Sequence, residues 1–321
     1  MNVGGPQLAS APPRMKLLTV ILPVFALIAI GWTVRRLRLL EPSALRGLRD
    51  LVFFLAMPAL LFAAIEKAPP FDLVSVTSVY FAAALAIFAF AFVVARRLRA
   101  PLAKAAMLGL NSSYGNTVLM GIPIIVAALG EDALPPLLAI IALHSAILLP
   151  LAGVLVEMDV VESQRRRPIA ILAATLARTL RNPIIMSILV ATLWRMSRLP
   201  VPAPLDALLR LLGSAATPLA LICLGGALPS LGALAPDAGA IIGTALKLAA
   251  LPALVWAIGR YAHLPDLPLK VAILVGGMPT GANAFLLAHR DESLAEASAT
   301  IVTATTLLSA ISLAIWLQVV P

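Results

Sequence analysis

Charge is what this sequence has least of. Of 321 residues only 15 are acidic and 24 basic, 12% charged in all, against 61% hydrophobic. The mean hydropathy of +1.01 lies far outside the range of a water-soluble domain. One cysteine, Cys223 in "LALICLGGAL", excludes a disulfide framework and any CxxC redox or metal motif. The three histidines, His144, His263 and His289, are too far apart in sequence to suggest a transition-metal site, so no metal is expected. HExxH, GxSxG with a following acid and histidine, and GxxxxGK[ST] are all missing. Neither hydrolysis nor ATP-driven pumping by this chain has support, and no enzyme activity or cofactor is expected. A net charge of +9 could suit nucleic acid, but in so apolar a chain arginines mark cytoplasmic loops, and nucleic acid is not expected as a partner.

What the sequence does have is a succession of apolar runs of about 20 residues, the length of helix that crosses a hydrocarbon core of about 30 Å. Runs such as "FAAALAIFAFAFVVA" do not alternate in polarity, which excludes a transmembrane barrel. The expected fold is an all-α, multi-pass membrane protein. Hydropathy and its breaks place ten spans at about 16–34, 45–65, 72–95, 104–128, 134–156, 171–195, 205–229, 238–261, 268–289 and 295–319. Arg178 and Arg181 interrupt the first half of the sixth, which reads as a surface segment before a shorter crossing from Asn182. Residues 1–15 read as a disordered leader rather than a cleavable signal.

Basic residues cluster after span one (Arg35, Arg36, Arg38, Arg46, Arg49), span three (Arg96, Arg97, Arg99, Lys104) and span five (Arg165, Arg166, Arg167). These loops are expected in the cytoplasm, with the N-terminus outside, although Arg195, Arg198, Arg260 and Lys270 fall on the opposite side. "QRRRP" is most simply a cytoplasmic topology signal and could also touch anionic membrane lipid.

The spans pair five apart. Pro58 in span two matches Pro218 in span seven; "MGIPI" around Pro123 in span four matches "GGMPT" around Pro279 in span nine, and each is followed by an acidic turn, "GEDAL" and "RDESL". An odd number of spans per repeat inverts the second copy, so residues 16–160 and 161–321 are expected to form two inverted five-helix repeats, as in many secondary transporters.

Proline lacks an N–H and clashes with the preceding turn, so Pro123 should free the carbonyl of Leu119, and Pro279 that of Val275. Gly115, Gly121, Gly276, Gly277 and Gly281 ease unwinding and close backbone approach. Unpaired carbonyls are tolerated at membrane depth only where protein or water reaches them, so both helices are expected to be broken and to meet near the midplane. On this reading Asn116 and Thr117 precede the first break by about two turns, and Thr280 and Asn283 flank the second. Their amides and hydroxyls could hold a carboxylate, with Asn111, Ser112, Ser113 and Tyr114 along the approach. The plainer alternative is that these groups knit helices together.

"YGNTVLMGIPI", "GGMPTGANAFLLA", "RNPIIMSILVATL" and "MPALLF" resemble motifs of the auxin efflux carrier family, over nearly the whole chain. Within it the chain is similar to bacterial permeases assigned to malonate, malate and similar acids. The resemblance implies ten helices in two inverted repeats, a crossover of helices four and nine at the substrate site, elevator-like alternating access and a homodimer in the cell inner membrane. Pro123 and Pro279 would lie at the crossover, with Asn116 and Asn283 as leading substrate contacts. A sodium-coupled bile-acid-type symporter shares crossed, broken helices but calls for more acids and amides near the breaks; a non-transporting sensor is the other alternative. The carried species is expected to be a small organic anion, a dicarboxylate or an auxin-like monocarboxylate, with a proton or sodium ion as possible coupling ion.

Three titratable groups remain. His144 in "IIALHSAILLP" sits near the middle of span five and could carry a coupling proton or simply bond neighbouring helices. Lys247 in "TALKLAALPAL" lies about ten residues into span eight, where snorkelling toward an interface is the simpler reading and attraction of an anion the other. Asp50, beside Arg46 and Arg49, reads as an interfacial ion-pair partner, with proton coupling as the alternative.

Overall fold

In hydrocarbon a backbone must satisfy its own hydrogen bonds, and the computed structural model of this chain is predominantly helical over the residues it describes, 13–67, 72–160, 183–227, 237–288 and 292–319. Chain order gives α1 (Pro13–Arg36), α2 (Pro42–Leu51), α3 (Met57–Lys67), α4 (Leu73–Arg97), α5 (Leu102–Ser113), α6 (Ile122–Leu129), α7 (Leu134–Val160), α8 (Pro183–Ser197), α9 (Ala203–Ala227), α10 (Ala238–Ala245), α11 (Leu251–Tyr261), α12 (Asp266–Gly276), α13 (Ala282–Ala288) and α14 (Glu292–Val319). Among the described residues six stretches are long and apolar enough to cross a membrane: Ser43–Glu66, Leu73–Arg97, Glu131–Val156, Ala203–Gly226, Ala238–Tyr261 and Ser293–Val319. Thr117–Leu129 and Pro183–Ser197 are shorter apolar helices. The expected surface segment around Arg178 and Arg181, and the basic run Arg165–Arg167, lie outside the described residues.

Helix ends follow local chemistry. Asp72 caps α4, its Oδ1 accepting from Val74 N at 3.0 Å and Ser75 N at 3.1 Å, and the Ser75 hydroxyl and amide hold its carboxyl below the usual carboxylate range. Asp237 caps α10 through Ala240 N at 2.7 Å. Four non-glycine residues with left-handed backbones terminate helices: Arg38 after α1, Arg99 after α4, Arg198 after α8 and His263 after α11, with φ of 54°, 62°, 55° and 53°.

Among the described residues three wide π turns, Val52–Ala56, Thr117–Gly121 and Leu246–Ala250, each end two residues before a proline, Pro58, Pro123 and Pro252. A wider turn relieves the clash between the proline ring and the carbonyl four residues back. For Pro252 that carbonyl is Leu248 O, and it is satisfied from α14, by Ser312 Oγ at 2.7 Å and Trp316 Nε1 at 3.1 Å.

Packing draws on both halves of the chain. α1 lies along α9, and α3 packs against α8 and α9. Gly31 and Gly225 make the α1–α9 approach possible, since a Cβ on Gly31 would overlap the carbonyl of Ile222 and one on Gly225 the carbonyl of Ile28. A second group joins α4 to α5 and α11, α5 to α7, α11 to α12, and α14 to α10 and α13.

Candidate functional site

α5 stops at Ser113 and α12 at Gly276, and helical structure resumes at Thr117 and Ala282. Between them the chain leaves the helix, with Tyr114 extended at φ −85°, ψ 116°. There Gly115 and Thr280 form an isolated antiparallel bridge, the one strand-like pairing among the described residues. Asn116 N donates to Pro279 O at 2.7 Å, and Gly281 N donates to Tyr114 O at 3.1 Å. Each unwound segment therefore supplies the hydrogen bonds the other has lost, as buried backbone groups require. Gly281 is obligatory for the crossing, because a Cβ there would meet the Tyr114 ring at 2.6 Å and Gly115 O at 2.9 Å.

The first break lies further upstream than expected. Pro123 was expected to open it; instead the chain unwinds at Tyr114–Asn116, and the π turn Thr117–Gly121 absorbs the proline, with Gly121 N bonded to Asn116 O at 3.0 Å. Asn116 is thus in the break rather than two turns before it. At the second break Pro279 lies in the unwound segment as expected, but the Val275 carbonyl is not freed, since it accepts from Met278 N at 3.2 Å. Gly277 caps α12, its N donating to Ile273 O.

The polar residues divide by what their side chains already do. Ser112 and Ser113 hydroxyls donate back to Leu108 O (2.7 Å) and Gly109 O (2.8 Å) within α5. Asn111 Oδ1 accepts from Ser298 Oγ of α14 at 3.0 Å, and the Asn111 carbonyl accepts from Thr280 Oγ1 at 2.7 Å. Asn111 thus ties α5 to α14 and to the second break, while the two serines bond only within their own helix. Asn116, 8% exposed, and Thr117, 4% exposed, differ: among the described residues neither side chain has a hydrogen-bond partner. Asn283 is exposed, on the first turn of α13, and its Nδ2 donates to Tyr114 Oη at 3.1 Å.

In an antiparallel pair bonded through its flanking residues, the N–H groups of the central residues point outward. Here both are taken by buried side chains, Gly115 N by His144 Nε2 at 2.9 Å and Thr280 N by Thr305 Oγ1 at 3.0 Å. His144 also stacks on Tyr114, ring centroids 4.5 Å apart at 23°, and packs against Tyr80 and Phe81 of α4. Because Nε2 accepts, the ring proton of the neutral imidazole resides on Nδ1. Nδ1 and Tyr80 Oη are both buried and, among the described residues, without a hydrogen-bond partner.

Lys247 overturns the snorkelling expectation. It is 0% exposed, in the π turn between α10 and α11, and its Nζ donates to Gly276 O, the last carbonyl of α12. A helix C-terminus carries partial negative charge, which suits an ammonium. Nζ also lies 3.5 Å from where a Cβ on Gly115 would be. Among the described residues no carboxylate pairs with it. Asp50, by contrast, is exposed and pairs with Arg49 at 3.3 Å, as an interfacial ion pair would.

Sequence reasoning missed Tyr80, Ser298 and Thr305. Lys247 carried a signal, a charge deep in an apolar run, but not its direction. A cavity of about 330 Å³ lies elsewhere, lined by residues including Leu60, Glu131, Asp132, Arg210 and Ser214, with Arg210 paired to Asp206 at 3.0 Å.

Residues 16–317 match the family model Mem_trans, described as a membrane transport protein. Over 302 residues, 90% of this chain and 91% of the relative, the sequence is 29% identical to a "Putative malonate transporter" of Rhizobium meliloti (strain 1021). With the match running nearly end to end over an all-helical chain, the protein belongs to this family of membrane transport proteins, the auxin efflux carrier family, and is a transporter and not an enzyme.

Proposed function

We propose that the chain is a secondary carrier of small organic anions, dicarboxylates foremost, which binds its cargo at the crossover of α5–α6 with α12–α13. The observation that carries this reading is the pairing of a buried ammonium that has no carboxylate partner among the described residues, Lys247, with a nearly buried amide that has no hydrogen-bond partner among them, Asn116. Both gather at Gly115: the lysine approaches it, and Asn116 follows it in the chain. A buried charge lacking a counter-ion is costly in a membrane, and a carboxylate would supply the missing partner. Asn116 and Thr117 then donate to the cargo, with Asn283 and the Tyr114 hydroxyl at its edge.

The ten-span inverted repeat is supported by recurrence. The left-handed terminators Arg38 and Arg99 reappear as Arg198 and His263, and the side-chain acceptor of Gly115 N on α7 reappears on α14 as Thr305. In this reading α1–α3, α8 and α9 form the fixed scaffold. The remaining helices carry the crossover between the two membrane faces as an elevator, within a homodimer of the inner membrane whose N-termini lie outside. The relative's printed name supports malonate as the first cargo to test. Sodium symport has less support, because the side chains gathered at the breaks are neutral or cationic.

Purified protein in liposomes tests the reading through flux of radiolabelled malonate, malate and indole-3-acetate, alongside Asn116→Ala and Asn283→Ala. Saturable flux of one acid, lowered in both folded variants, is expected. Absence of flux for every acid would remove the carrier reading for these substrates, and flux untouched by either substitution would move the site elsewhere.

A further inference from the structure

The two outward N–H groups of the crossover bridge have equivalent jobs for their acceptors, yet the acceptors differ in kind. Thr305 Oγ1 on α14 takes Thr280 N at 3.0 Å and cannot gain a proton at physiological pH. His144 Nε2 on α7 takes Gly115 N at 2.9 Å and can. If a hydrogen bond were all that was needed, a hydroxyl would serve at both places. Two more groups near His144 are unspent: its own Nδ1 and the Tyr80 hydroxyl are buried without partners, with the two rings 5.7 Å apart. Orphaned buried polar atoms are few in native proteins and call for an explanation.

Resting on the carrier reading, we infer that His144 is a proton-operated latch on Gly115 N–H, so that anion binding at the crossover and uptake of one proton by His144 are coupled. A doubly protonated imidazole donates at both nitrogens and cannot accept. The proton arrives at Nε2, the bond to Gly115 N breaks, and that N–H turns to the cargo carboxylate beside it. Nothing else is made or broken. The Tyr80 hydroxyl oxygen then has a use, as acceptor near the imidazolium.

Charge balance sets the order of events. The groups facing His144 are Tyr80 from α4, Tyr114 from the break and Lys247 across Gly115, with Phe81 the remaining ring contact. With the site empty, an imidazolium would put a second buried cation near Lys247, with no carboxylate among the described residues to offset either. A dicarboxylate brings two negative charges and offsets both. Anion binding thus promotes protonation, and by linkage a lower pH tightens anion binding.

The experiment counts protons and malonate entering proteoliposomes, with a trapped pH dye, for the unaltered protein between pH 5.5 and 8, and repeats the series with His144→Gln. Glutamine can still accept from Gly115 N but does not titrate in this range. For the unaltered protein one proton per malonate is expected, with KM falling by up to about tenfold per pH unit where the imidazole titrates. For His144→Gln the bond to Gly115 N stays closed, so malonate counterflow is expected at a KM raised above that of the unaltered protein at low pH, with that part of the pH dependence gone. Malonate flux with no accompanying proton, or a His144→Gln profile superimposable on the original, would overturn the inference. The proton count needs no variant, so it decides even if His144→Gln does not fold. Absence of any malonate flux would instead strike the carrier reading beneath it.

Discussion

Asn116 donates its backbone N–H to the carbonyl of Pro279 across 163 residues of sequence, at 2.7 Å, and with Gly281 N on Tyr114 O this makes each broken helix the other's hydrogen-bond partner. Neither break is stable alone: two unwound segments at membrane depth would each leave backbone groups unsatisfied, at several kcal/mol per group.

Gly281→Ala tests that dependence. The added methyl meets the Tyr114 ring and the Gly115 carbonyl, and the carbonyl cannot step aside without losing the bridge. Overpacking of this kind costs about 1–3 kcal/mol. Thermal unfolding in detergent should show a lowered midpoint, together with loss of flux. Gly121→Ala is the control, since its Cβ would meet only ordinary contacts, Asn116 O at 3.5 Å and Thr117 Cβ at 3.7 Å.

Asn116→Ala and Ser298→Ala should separate binding from scaffolding. Asn116's amide has no partner to lose among the described residues, so its removal should leave the unfolding midpoint nearly unchanged while flux falls about tenfold, the equivalent of about 1.4 kcal/mol. Ser298 donates to Asn111 Oδ1, and its truncation should cost about 1 kcal/mol of stability with flux lowered less. Midpoints and flux measured on the same preparations decide; the reverse pattern would exchange their roles.

Lys247→Met replaces a buried ammonium with an apolar side chain of similar length. Burying a charge without an ionic partner costs several kcal/mol, so the variant is expected to keep or raise its unfolding midpoint while losing most anion binding. Malonate protection against thermal unfolding is the readout. Retained protection in Lys247→Met would remove the lysine from the site.

The carbonyl of Leu248, displaced by Pro252, has two donors, Ser312 Oγ and Trp316 Nε1. Ser312→Ala alone leaves one and should be mild. Ser312→Ala with Trp316→Phe leaves the carbonyl bare, and the pair should destabilise by more than the sum of the singles, by about 1–3 kcal/mol. Additive midpoints would mean that the carbonyl finds another donor.

The helical, membrane-spanning architecture was legible because hydropathy acts over 20 residues at a time, long enough to average out local detail. That the two proline-bearing segments would meet was legible as well, and Asn116 N on Pro279 O joins them. The position of the first break was not. Pro123 marks strain, but a helix can relieve strain by widening a turn, and the same relief precedes Pro58 and Pro252 in helices that stay continuous. What unwinds the chain at Tyr114–Asn116 is pairing with Pro279–Gly281, a contact distant in sequence. Likewise, the depth of Lys247 could be counted along its helix, but its heading depends on the carbonyl of Gly276, 29 residues away. Of the polar cluster, Asn111, Ser112 and Ser113 could not be told from Asn116 by residue type, because only their neighbours decide which hydroxyls and amides are already engaged.

Where Gly31 and Gly225 bring α1 and α9 together, backbone lies on backbone with no room for a side chain. A resting membrane sets its voltage across about 30 Å of insulation, and any thread of water through the protein would short it. A seam closed by two main chains has no rotamers that can swing open and no gap that a water or a lipid tail can enter. At that seam the electrical barrier is main chain alone, and it stands beside the polar crossing, since α1 and α9 also pack against α6.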